Sequence, residues 1–228
     1  MWRRRTVVLM VGTVLVVACG PPGDDPAVGE QPATPAVRAL PEPTTPTSGS
    51  LEEAIANRRS IRDLEPRALT EAQVGQLLWA AQGITDDAGR RAAPSAGATY
   101  PLEVYAVTAD GVGRYVPSAH ALEVHLPDDR RSVMADTSFD QEWIGDAGLL
   151  VVITAVEART EQRYGERAPG YVLIEVGHAA QNVLLQATAL GLAATPVAAF
   201  DADALASALD LPDEHVPVYL LPVGHPST

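Results

Sequence analysis

The sequence predicts an α+β domain, on three observations. Two helix starts near the front carry capping boxes, a set of strand patterns with a hairpin turn follows, and strict βαβ alternation never develops. The first box is Ser50-Leu51-Glu52-Glu53, in which cap and third residue each accept the other's backbone N–H; it opens a helix through Ala56 to Arg59. The second, Thr70-Glu71-Ala72-Gln73, opens a helix whose Val74, Leu77, Leu78 and Ala81 recur at helical spacing up to Gly83. Residues 84–98 read as loop. Leu102 to Thr108 alternates as a strand, Asp110-Gly111 signals a hairpin into Gly113 to Val116, and Ala121 to Leu126 adds a further strand. Ala147 to Val156, apolar and rich in Val and Ile, reads as a buried central strand. Tyr171 to Leu190 predicts the longest helix; it is apolar on most faces, which implies burial inside the molecule or between two copies, and Gly191 ends it. Leu192 to Ala198 and Val216 to Val223 read as strands, with a short helix near Asp203 to Leu209.

Ahead of this domain the chain has another character. Arg3, Arg4 and Arg5 form a basic start, followed by the run Val7 to Ala18. That run is too short for a transmembrane helix, which needs about 20 residues. It ends in Val16-Val17-Ala18-Cys19-Gly20, small residues around the only cysteine. Residues 1–18 thus read as a signal peptide, and the cysteine sits where it resembles the lipobox of bacterial lipoproteins, in which that residue is acylated and becomes the new N-terminus. An ordinary secretory signal or an uncleaved apolar tail is the plainer alternative. Lipid on Cys19 would hold the protein on a membrane, outside the cytoplasm. Residues 19–50 hold eight prolines and no aromatic residue, a composition expected to stay extended as a tether, with the folded domain at 51–228.

Charge narrows the partners. Without the signal, 13 arginines face 29 acidic residues and the chain has no lysine. Such a balance argues against nucleic acid and against a polybasic membrane grip. With one cysteine there is no internal disulfide, and His120, His125, His215 and His225 fall at no metal-ligand spacing, so no metal is expected. Ser95 lies in no Gly-x-Ser-x-Gly pattern, which argues against a hydrolase triad.

Two segments carry candidate chemistry. Arg58-Arg59-Ser60-Ile61-Arg62 offers guanidinium forks and a hydroxyl that suit phosphate oxygens; alternatively these arginines complement a helix C-terminus and solvate a surface. Pro94-Ser95-Ala96-Gly97-Ala98 is a turn poor in side chain, whose backbone can approach a flat ring or merely feed the next strand. His178 in the long helix is more often a satisfied core histidine than a catalyst. Gln181 and Asn182 either reach across an interface or cap buried backbone.

Taken together, Arg58 to Arg62, Pro94 to Glu103, Gly177-His178-Ala179-Ala180-Gln181-Asn182, Thr195-Pro196-Val197-Ala198-Ala199-Phe200 and Pro222 to Pro226 resemble the nitroreductase superfamily, in particular its SagB-type, azoline dehydrogenase-like branch. The resemblance spans about residues 51 to 226, in five segments kept in order. It implies a central mixed or antiparallel sheet flanked by helices, with the long helix at a homodimer interface and FMN bound between the copies. It implies an FMN-dependent oxidoreductase that passes hydride through flavin N5 to a second substrate. Carried over, Arg58, Arg59 and Ser60 would hold the phosphate and ribityl region, and Arg62 would lie at the pyrimidine edge. Pro94, Ser95, Ala96, Gly97 and Ala98 would line the ring on one side, and Pro196, Val197, Ala198 and Ala199 on the other.

The sequence also departs from the family. Ala98 stands where many nitroreductases have asparagine, the chain stops at Thr228 without a second basic clamp, and Arg163-Tyr164 matches the Lys-Tyr base pair of azoline dehydrogenases. Arginine stays protonated and cannot abstract a proton. Two other classes fit the same segments: a flavin-free binding lipoprotein that keeps the fold, and an azoline dehydrogenase acting on modified peptides. Most relatives take electrons from NAD(P)H, a cytoplasmic donor. A tethered exported domain is instead expected to draw them from another exported or membrane-bound partner.

Overall fold

The computed structural model describes residues 35–44, 49–139 and 141–227. The signal segment, Cys19 and the tether up to residue 34 lie outside the described residues. The strands are β1 (Val37–Ala39), β2 (Leu64–Glu65), β3 (Leu102–Thr108), β4 (Gly111–Val116), β5 (Ala121–Leu126), β6 (Leu149–Ala155), β7 (Ala193–Ala194) and β8 (Val216–Pro226). The helices are α1 (Leu51–Asn57), α2 (Glu71–Gln82), α3 (Arg131–Thr137), α4 (Ala158–Tyr164), α5 (Ala168–Ala189) and α6 (Ala202–Ala208). The strands form one sheet in the order β1-β5-β4-β3-β6-β8-β2, with β7 also on β8, and every pairing between them is antiparallel. The α+β expectation holds, in its antiparallel form.

Strand β6 is the middle of the molecule. All seven of its residues are buried, between β3 on one side and β8 on the other. Its alternation builds two cores. Leu149, Val151 and Ile153 pack with Leu77 and Leu78 of α2 and with Val176, Ala180 and Val183 of α5. Leu150 and Val152 face the other way, onto Met134 of α3, Ile144 and Leu205 of α6. A sheet with helices on both faces has no wet side, which is why this strand lacks polar alternation.

Both capping boxes form. Ser50 Oγ accepts from Glu53 N at 3.1 Å, and Thr70 Oγ1 accepts from Gln73 N at 3.2 Å. Helix α5 starts earlier than its apolar pattern, at Ala168, with proline in its first turn. It ends where expected: Gly191 takes φ 69°, and the N–H groups of Gly191 and Leu192 donate to Thr188 and Ala187. One side of α5 is in the core, while Leu173 and Ile174 are exposed, as are Leu51 and Ile55 on neighbouring α1.

Four expectations change. The predicted strand Leu192 to Ala198 shortens to β7, because Pro196 has no N–H to give a ladder and only Val197 pairs beyond it. Helices α3 and α4 escape the sequence reading because each is seven residues long and has no side-chain cap. His178 is exposed, so it is not a core histidine. Residues 35–44, read as tether, belong with the domain in one compact unit. Residues Val37 to Ala39 pair with Ala121 to Glu123 of β5, Leu40 is buried, and Thr44 N donates to Gln76 Oε1 at 2.8 Å. Proline-rich composition hid a three-residue edge strand.

A chain starting at residue 50 would leave the β5 edge open and the Leu40 socket empty. Its thermal midpoint is expected to lie below that of a chain starting at residue 35, with Leu40→Ala alone costing about 2–4 kcal/mol in a denaturant titration. Equal stability of the two chains would return the domain boundary to residue 50.

Candidate active site

The first candidate segment leaves α1 and is stitched to the far end of the chain. Arg58 N–H closes α1 onto Ala54 O at 3.0 Å. Arg59 Nη1 turns back to Ala56 O at 2.9 Å and Arg58 O at 2.8 Å, so this guanidinium serves the helix end. Ser60 bridges Ala194, Ile61 N donates to Ala194 O at 3.4 Å, and Thr195 Oγ1 donates to Ile61 O at 2.8 Å. Thr195 N in turn donates to Pro222 O at 3.2 Å. Residues 58–62 and 194–199, far apart in sequence, therefore lie side by side.

Among the described residues seven arginines form ion pairs with carboxylates: Arg38, Arg67, Arg90, Arg114, Arg130, Arg131 and Arg159. Among the described residues Arg58, Arg59 and Arg62 form none, and neither do Arg91, Arg163 and Arg167. Arg62 instead lies 5.8 Å from the Trp143 ring, a cation–π contact that sequence reading did not anticipate. Beside them, Ala198 and Ala199 are exposed and Val197 is pinned to Leu220.

The second segment, Pro94 to Ala98, is a tight turn with Gly97 at φ 59° and Ala98 at φ 55°. It is held from α4. Thr99 Oγ1 lies 2.9 Å from Thr160 Oγ1, Arg159 Nη1 donates to Tyr100 O at 3.1 Å, and Arg163 Nη1 donates to Gly97 O at 3.2 Å. A Cβ on Gly97 would come within 2.5 Å of Tyr164 Oη, so a larger residue would displace that pair as well as strain a backbone at φ 59°. Arg163-Tyr164 thus sits directly on the turn. Among the described residues no hydrogen bond joins this turn to residues 58–62 or 194–199. Asn182 Nδ2 donates to Ala80 O and Ala92 O, capping backbone within its own chain, while Gln181 is exposed.

Residues 55–225 match the nitroreductase family. The chain belongs to that family. It is 38% identical over 180 residues to a protein described as a nitroreductase from Methanocaldococcus jannaschii, covering 76% of this chain and 90% of that one. A crystal structure described as a nitroreductase from Ralstonia eutropha is similar at TM-score 0.77 and 27% identity, over 84% of this chain and 90% of that chain. The NADPH:FMN oxidoreductase of Vibrio harveyi, solved with NAD+, shares the fold at TM-score 0.59 and 19% identity, over 78% of this chain and 69% of that chain. The chain is thus an oxidoreductase of the nitroreductase family, and its expected α+β fold is the family's.

Within this nitroreductase fold, one residue stands out that motif reading passed over. Glu175 on α5 is 2% exposed, and its Oε1 is enclosed with no hydrogen-bond partner. Burial pushes its carboxyl up to about 7, with the Ser95 hydroxyl and the Arg91 charge offsetting only part of that. A lone Glu in an apolar helix gives no sign of which face it takes; only the packing of α5 reveals it.

The folded carboxyl holds its proton more tightly than the unfolded one. The stability that Glu175 contributes is therefore fully present at low pH and is lost as pH rises from the ordinary carboxylate range through about 7. Glu175→Gln, neutral throughout, should match the wild type below about pH 5 and exceed it by roughly 1–3 kcal/mol above about pH 8. A wild type equally stable at both ends would show that Glu175 titrates normally.

Proposed function

We propose that this nitroreductase-family chain is an FMN-dependent oxidoreductase of the SagB-type branch, a homodimer tethered by lipid on Cys19. The observation that carries the cofactor is that the Arg58–Arg62 segment, whose guanidiniums form no ion pair among the described residues, is stitched through Ser60 and Ile61 to Ala194 and Thr195, next to Pro196 to Ala199. The donor set fits an organic phosphate: guanidinium forks plus the Ser60 hydroxyl, on an exposed surface. Arg58 and Ser60 hold the phosphate and ribityl end. Arg59 shapes the helix end behind them. Arg62, stacked on Trp143, keeps a fixed positive charge at the pyrimidine edge, where negative charge gathers on hydride uptake.

Pro94 to Ala98 and Pro196 to Ala199 present small or ring-closed side chains that let a flat isoalloxazine lie against backbone. Bound flavin supplies hydride chemistry at N5. Among the described residues no hydrogen bond ties these two walls together, and a second copy supplies the facing wall. Exposed Leu173 and Ile174 on α5, with Leu51 and Ile55 on α1, provide apolar surface for that copy to cover. Azoline chemistry is disfavoured because Arg163, the match to the basic partner, is committed to Gly97 O and cannot take a proton. A domain anchored outside the cytoplasm draws electrons from an exported or membrane-bound donor.

Residues 35–228, purified and incubated with FMN, should give a yellow dimer by absorbance and light scattering. Arg58→Ala should weaken FMN retention about tenfold to a hundredfold, the worth of one charge-assisted contact. A protein that takes up no FMN would overturn the reading, and a monomer that holds it would overturn the shared site. For the anchor, full-length chain should sediment with membranes and its Cys19→Ser variant should not; identical partitioning would refute lipidation.

A further inference from the structure

A cavity of about 400 Å³ opens at the C-terminal end of α6, large enough for a sugar-sized ligand. Asp203 and Ser207 of α6, Asp210 and Asp213 of the following loop, and His215 just before β8 line it. Neither α1 nor α5 contributes to its walls, so it lies apart from the face assigned to a second copy. Residues 58–62, 94–98 and 196–199 are absent from its lining as well. Among the described residues Asp203, Asp210 and Asp213 form no ion pair. The chain has no lysine or arginine after Arg167, so no nearby stretch of sequence supplies a cation.

The cavity is held from beneath by the sheet. Tyr105 on β3 is fully enclosed and touches two histidines. His125 lies edge-on to it, with ring centres 5.3 Å apart, and His125 Nε2 donates to Leu209 O at 2.7 Å, which fixes the end of α6. The Tyr105 hydroxyl lies 2.7 Å from Nδ1 of His215, a side chain only 8% exposed. A buried phenol whose partner is a ring nitrogen donates to it, because the opposite arrangement leaves the phenol proton unmatched. The imidazole proton then sits on Nε2. Among the described residues Nε2 has no partner, and with Nδ1 bound inward it turns to the cavity. A solvated acidic loop would need no such buried donor beneath it.

We propose that this cavity binds a hydroxylated organic ammonium, an amino sugar being the simplest of that class with matching size. The carboxylates of Asp203, Asp210 and Asp213 take the ammonium group through charge-assisted hydrogen bonds. The Nε2–H of His215 donates to a hydroxyl or ring oxygen of the same molecule, and the Ser207 hydroxyl meets another. Leu211 and Val216, also in the lining, cover its C–H surface.

Both halves of the recognition are selective. Three carboxylates around one concavity repel one another, and a cation between them relieves that repulsion while an anion would add to it. A fixed N–H asks for an oxygen acceptor, which a bare alkylammonium lacks. Burial pushes the His215 imidazole below its ordinary value, so the ring stays uncharged near neutrality and does not repel the ammonium. The site shares no residue with the flavin reading and stands without it.

The test is calorimetric titration of the purified protein, in mildly acidic buffer where amines are charged, with glucosamine, glucose and cyclohexylamine. Glucosamine is expected to bind at least about tenfold more tightly than glucose, which lacks the charge, and than cyclohexylamine, which lacks the oxygens. Asp210→Asn and Asp213→Asn, at exposed positions, should each weaken glucosamine about tenfold, and asparagine tolerates the left-handed backbone of residue 210. Equal affinity for glucosamine and cyclohexylamine would reduce the site to unspecific attraction of cations and overturn the proposal. Unchanged affinity in both variants, or no glucosamine binding, would overturn it too. Removing the His215 ring would also break its bond to Tyr105, so the histidine is read in the wild type by ¹⁵N NMR. Its ring is expected to carry the proton on Nε2 and to shift when glucosamine is added. A proton on Nδ1, or a ring signal that glucosamine leaves unmoved, would contradict the assigned donor.

Discussion

Thr195 is where three distant parts of the chain meet. Its hydroxyl donates to Ile61 O, its N–H donates to Pro222 O, and it is 1% exposed. Through Ile61 it fixes the exit from α1 that carries Arg58, Ser60 and Arg62. Through Pro222 it joins β8, which pairs with the fully buried β6. A surface cluster of like charges is repulsive and would spread if its backbone were free. Here the backbone is tied to the most buried strand in the fold, so the cluster keeps its place without carboxylates to balance it.

The same logic holds the other candidate wall. Glu103 on β3 receives Arg159 at 2.7 Å and Arg114 at 3.1 Å, which docks the start of α4 on the sheet. From there Thr160 and Arg163 reach Thr99 and Gly97, and the Pro94–Ala98 turn takes a left-handed bend at Gly97 with the Arg163 and Tyr164 side chains lying over it. Partly exposed, shared ion pairs of this kind set geometry more than they add stability. Each of the two candidate walls is thus anchored in the sheet.

How much of this is readable in the sequence depends on periodicity and caps. Strands β3 and β5, helices α1 and α2, and the end of α5 follow from alternation, capping boxes and Gly191. The arginine segment and the glycine turn are visible because their residue types are unusual for this composition. What escapes is whatever lacks a local signature. β1 hides among prolines, α3 and α4 have no caps, and Thr195 and Arg159 matter only through partners far along the chain. Glu175 is a single acidic letter in an apolar helix, and its orientation becomes known only when α5 packs.

The central claim is that the guanidiniums of residues 58–62 seat a phosphate. Calorimetric titration of residues 35–228 with FMN and with riboflavin, which has the same ring without the phosphate, tests it directly. FMN is expected to bind at least tenfold more tightly, about 1.4 kcal/mol or more. Equal affinity for the two would contradict the account.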